Sequence, residues 1–134
     1  MYYLDLSYNQ FSGQLPLDWS EGSGSLSRIR HLHLDNNQFD GVIPATFPLM
    51  GNGRIEQLSV NNNRLTGEVP GGWPLRNHLI SLEVQNNFFS RLGNSNGGFD
   101  VCELIVFQSG EMVDFNADCS ICSCNNFCSF GECF

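Results

Sequence analysis

Apolar residues recur along the first two thirds of the chain in one order. A spaced apolar residue comes first, then two leucine-type residues separated by one polar residue, then an asparagine, then another apolar residue. Residues 29–44 read "IRHLHLDNNQFDGVIP". The alternation Leu32-His33-Leu34 predicts a short strand, with both leucines on one face. His31, His33 and Asp35 then share the opposite face. The same order appears in four units. Their leading positions are Met1, Ile29, Ile55 and Leu79. The paired inward positions are Leu4 and Leu6, Leu32 and Leu34, Leu58 and Val60, and Leu82 and Val84. Asn9, Asn37, Asn63 and Asn87 follow at intervals of 28, 26 and 24 residues, and Phe11, Phe39, Leu65 and Phe89 lie two residues further on.

A repeat this short cannot bury its own apolar face. Stacking the units in register makes one continuous core. The asparagine turns the chain off the strand, and its amide can bond backbone groups that the bend would leave unpaired. Gly13, Gly41 and Gly67 permit a left-handed or close backbone. Pro16, Pro44 and Pro70 end the pairing.

These motifs resemble the plant-type leucine-rich repeat, whose pattern is LxxLxLxxNxLxGxIP. It is met by "IRHLHLDNNQFDGVIP" and "IEQLSVNNNRLTGEVP". The resemblance implies an α/β-type repeat solenoid, mostly β and irregular, right-handed, with a parallel concave sheet. Residues 1–98 are expected to hold about four units, and 99–134 a Cys-rich C-terminal cap with a degenerate last repeat. The fourth unit lacks "GxIP" after Phe89, so its convex side is expected to be irregular. In the degenerate fifth strand, Met112, Phe115 and Ala117 hold the leucine spacing, and Asp118 stands where the turn begins. Met1 already lies inside a repeat, so the sequence reads as a fragment, or as a chain whose first layer is covered by something else.

Fourteen acidic residues against six basic ones give a net charge of −8. That balance excludes nucleic acid and anionic membrane surfaces as partners. No apolar run approaches the ~20 residues of a membrane span.

All the cysteines fall in the last part of the chain: Cys102, Cys119, Cys122, Cys124, Cys128 and Cys133. Their segment is too polar to fold on apolar burial alone, so disulfides are expected there, with a zinc site as the competing reading. The run "ADCSICSCNNFC" also resembles the Cys-rich ends of leucine-rich repeat proteins of diatoms and related algae. Both resemblances place the chain outside the cell or at its surface.

Four polar columns line the expected concave face. They are Tyr3, His31, Gln57 and Ser81; Asp5, His33, Ser59 and Glu83; Ser7, Asp35, Asn61 and Gln85; and Tyr8, Asn36, Asn62 and Asn86. The binding candidates are Tyr3, Asp5, Tyr8, His31, His33, Asp35, Asn61 and Glu83. The bland alternative is a merely solvated strand face. Two histidines and a carboxylate can ligate zinc or copper, but exposed neighbouring histidines seldom do, so neither metal nor cofactor is expected. A pH-sensitive face is the better expectation, because histidine ionises near pH ~6.5. Nucleophile-elbow, zinc-protease and phosphate-loop motifs are all missing, which argues against an enzyme. Trp19 and Trp73 are expected to fill the convex core, with a sugar-stacking ring as the alternative. The sequence thus predicts a recognition module for a protein, peptide or glycan. The alternative is a structural protein of a cell surface or fibre that self-associates end to end.

Overall fold

The computed structural model describes residues 1–20, 26–71, 78–92 and 114–118. Each unit contributes one short strand where the leucines alternate: β1 (Tyr3–Asp5), β3 (His31–His33), β5 (Gln57–Ser59) and β7 (Ser81–Glu83). The fifth is β9 (Asp114–Asn116). They form one parallel sheet in the order β1-β3-β5-β7-β9. Leu4, Leu32, Leu58, Leu82 and Phe115 stand in one register across it. The degenerate repeat therefore joins the array where its spacing placed it.

A second sheet emerges that the leucine pattern does not announce. Strands β2 (Ser12–Gln14), β4 (Gln38–Val42), β6 (Arg64–Val69) and β8 (Phe88–Leu92) pair in parallel, in that order. Glycine sits within these strands rather than after them, with φ of 86° at Gly13, 72° at Gly41 and 77° at Gly67. The carbonyls of Gly41 and Gly67 are met by Thr66 Oγ1 at 3.2 Å and Ser90 Oγ at 3.0 Å from the next unit. The convex side of the fourth unit beyond Leu92 lies outside the described residues. Strand β8 runs on to Leu92, and its pairing with β6 only shifts register between Gly67 and Glu68. Backbone pairing carries this strand, so loss of the "GxIP" side chains does not end it.

The core lies between the two sheets. Ile29, Leu32, Leu34, Ile55, Leu58, Val60, Leu79, Leu82 and Val84 are buried. From the other side come Phe39, Leu65 and Phe89, with Leu15, Ile43 and Val69. Trp19 packs against this cluster, as a core-filling residue should. Leu4 and Leu6 are only part-buried, because β1 is the edge strand of its sheet. Trp73, the six cysteines and the Cys-rich cap apart from residues 114–118 lie outside the described residues. The parallel strands in two sheets, with little helix, are consistent with a repeat solenoid.

The asparagines join the units. Asn63 Nδ2 donates to the carbonyls of Val60 and Asn61 in its own turn, and to Leu34 of the previous unit at 3.0 Å. Asn37 bonds Leu6 in the same way at 2.8 Å, and Asn87 bonds Val60 at 2.9 Å. At the far end, Asp118 accepts the backbone N–H groups of Asn86 and Asn87 through its two carboxylate oxygens, at 2.9 and 3.3 Å. In earlier units those donors go to backbone carbonyls of the next turn.

Candidate functional site

Register places the outward residues of the five-stranded sheet in straight columns. Tyr3 pairs with His31, and Asp5 with His33. His31 continues through Gln57 to Ser81, and His33 through Ser59 to Glu83. The predicted candidates on β1 and β3 thus meet. The Tyr3 ring lies 5.9 Å from the His31 ring and 5.5 Å from that of His33, tilted to both. Its hydroxyl donates to Asp5 Oδ2 at 3.3 Å. Desolvation, then the charge of Asp5 and its hydrogen bond, and last the charge of Asp35, raise the Tyr3 pKa above its ordinary value. Asp5 Oδ1 accepts the Ser7 hydroxyl at 2.5 Å and the Ser7 N–H at 2.9 Å, and these bonds hold its carboxyl below the usual range.

Glu83 takes its expected column but lies far from the rings, two strands beyond His33. Asp35 is tied to Asn36 Nδ2 at 2.7 Å. Tyr8 projects from the turn, 79% exposed, with φ at 54°. Asn36, Asn62 and Asn86 hold the same left-handed position in later units, and their amides bond in series at 3.1 and 2.8 Å. Tyr8 replaces the next amide of that ladder. Asn61 departs from expectation. It is 7% exposed, so it is not an open contact residue, and its Oδ1 has no partner. Its backbone carbonyl accepts the Asn36 N–H at 3.0 Å.

Glu56 was missed by the sequence reading. Its Oε2 lies 3.3 Å from His31 Nε2. Strict alternation would turn Glu56 inward with Leu58. Instead the Arg30 carbonyl accepts both Glu56 and Gln57 N–H groups, at 2.8 and 2.9 Å, and this bulge breaks the alternation.

The leucine-rich repeat family model matches residues 1–21 and 28–50. These two segments are similar to leucine-rich repeats. The matched residues include Tyr3, Asp5, Tyr8, His31, His33 and Asp35, so most of the candidate face rests on leucine-rich repeat sequence. Such repeats commonly mediate protein binding. No curated protein matches the chain. Among the described residues, no three His, Cys, Asp or Glu side chains converge as a metal site, and no helix is long and apolar enough to cross a membrane.

Proposed function

We propose that these leucine-rich repeats form a non-enzymatic recognition module, working outside the cell or at its surface. The outer face of the five-stranded sheet, which we take as the concave side of a right-handed coil, binds a protein, peptide or glycan. The carrying observation is the Tyr3 ring held beside two imidazoles, 56% exposed on a paired sheet. A rigid aromatic surface loses little entropy on binding, and aromatic anchors dominate many interfaces. Display of the chain on peptide and glycan arrays tests this. A bound probe should lose affinity when Tyr3, Tyr8, His31 and His33 are changed together to alanine. Unchanged affinity would move the function off this face.

A second reading is end-to-end self-assembly. It is favoured by the exposed apolar side chains of Met1, Tyr2 and Phe11 along the β1 side of the stack. Contacts of this heterologous kind grow into filaments. Light scattering separates the two, since a recognition module keeps a constant mass as concentration rises.

The plant-type repeat pattern and the algal character of the tail belong to the same proposal. So do disulfides among Cys102, Cys119, Cys122, Cys124, Cys128 and Cys133, which would suit an oxidising compartment. Intact mass before and after reduction reads them directly, and zinc with free thiols would replace that cap by a metal site.

A further inference from the structure

The chain has only six basic residues, all arginine. Three of them, Arg28, Arg30 and Arg54, line one open cavity of about 320 Å³, and no residue of the Tyr3 cluster is among its lining. Tyr2, Ser27, Gly51 and Asn52 complete its wall, and no carboxylate is among them.

The cavity is built, not a chance meeting of loose side chains. Arg30 Nη1 donates to the carbonyl of Ile29 at 3.0 Å and to those of Arg28 and Gly51 at 3.3 Å. Its guanidinium carbon lies 5.8 Å from the centre of the Tyr2 ring. The Gly51 carbonyl also accepts the Arg54 N–H at 3.3 Å. This is possible because the Met50–Gly53 segment makes a tight turn rather than a regular helix, with φ of 66° at Gly51 and 57° at Asn52. One carbonyl of this turn therefore holds the Arg30 guanidinium and the Arg54 backbone together.

Like charges gathered this way repel one another. Carboxylates stand among the described residues to relieve them. Yet the ion pairs among the described residues are His31–Glu56 and Arg91–Glu68, and neither includes a cavity arginine. A purely structural role would account for Arg30, which staples the Gly51 turn. It leaves the exposed Arg28 and Arg54 unexplained.

We propose that this cavity binds a tetrahedral oxyanion, the group carried by a phosphate or sulfate ester. Arginine suits it, because the planar fork meets two oxygens at once and stays charged. Ser27 and Asn52 add neutral donors, and Tyr2 offers a ring to whatever carries the ester. Its lining shares no residue with the Tyr3 cluster, so it survives if that face proves inert.

The test is titration of the full chain, at low ionic strength, with inorganic phosphate, inorganic sulfate, glucose 6-phosphate and glucose 6-sulfate. Amide NMR shifts provide the readout. Saturable shifts centred on Ser27, Gly51 and Asn52 are expected, and the better ester identifies the source. Arg28→Gln and Arg54→Gln should each weaken binding by about 5- to 20-fold, the effect of removing one charge-assisted bond at a partly exposed site. Arg91→Gln, outside the cavity, should leave it unchanged. Arg54→Lys keeps the charge without the fork. It should bind more weakly than the parent and more tightly than Arg54→Gln, and it serves if the glutamine variant fails to fold. Absence of saturable shifts with all four probes overturns the site. So does equal weakening by Arg91→Gln, which would reduce the effect to general charge.

Discussion

The Oδ1 of Asn63 accepts the backbone N–H of Phe39, one repeat earlier, at 3.0 Å. The same amide donates through Nδ2 to three carbonyls, so a single side chain holds four backbone groups. Asn63 is 8% exposed, and those groups have little access to water. Asn63→Ala should cost about 2–4 kcal/mol, the penalty for orphaning several buried polar groups. Asn9→Ala should cost less, because Asn9 bonds only carbonyls of its own turn and is exposed. Urea denaturation of both variants checks the ranking, and equal losses would refute it.

Gly51→Ala should destabilise the chain by more than about 2 kcal/mol. A Cβ there would stand 2.2 Å from the Ile29 carbonyl oxygen, and the backbone holds φ at +66°. Both the collision and the left-handed strain act against the variant. A thermal melt matching the parent would show that the turn can open without loss.

Tyr8→Asn should raise stability by about 1 kcal/mol, because asparagine tolerates the left-handed backbone that tyrosine resists. It would also bring the position into line with Asn36, Asn62 and Asn86. If Tyr8 anchors a partner, the same change weakens binding. The two measurements should move in opposite directions, and a loss of both would mean that Tyr8 is structural.

The Ser7 hydroxyl, followed by the Ser7 N–H, lowers the Asp5 pKa. A depressed folded-state value favours the fold above the unfolded pKa, and that contribution fades as pH falls through the folded value. NMR titration should place the Asp5 midpoint below that of an ordinary aspartate. Ser7→Ala should raise it by removing the hydroxyl bond. No upward movement would show that other groups hold the carboxylate.

The five-stranded sheet was legible because Leu32 and Leu34, and their equivalents, announce a strand and its inward face together. Register then followed from spacing, which is why Tyr3, His31, His33 and Asp5 could be gathered from sequence alone. Even Phe115 found its place opposite Leu82. The second sheet was not legible. Ser12-Gly13-Gln14 has no apolar alternation, and its pairing with β4 rests on backbone bonds between units. Glu56 escaped because one carbonyl takes two N–H groups just before β5. The burial of Asn61 was not legible either, since Asp35 and Gln85 in the same column stay partly open. The arginine cavity escaped because residues from three separate segments meet there through a left-handed turn that leaves no periodic mark.

The junction bonds of Asn37, Asn63 and Asn87 share one geometry, each reaching a carbonyl of the unit before it. Length in such a chain is therefore quantised. A duplicated block spanning residues 29–54 would present the same donors and acceptors at each new boundary, whereas one added residue inside a strand would turn the leucines toward solvent. Recombination can lengthen or shorten this molecule by whole blocks and leave every seam chemically familiar.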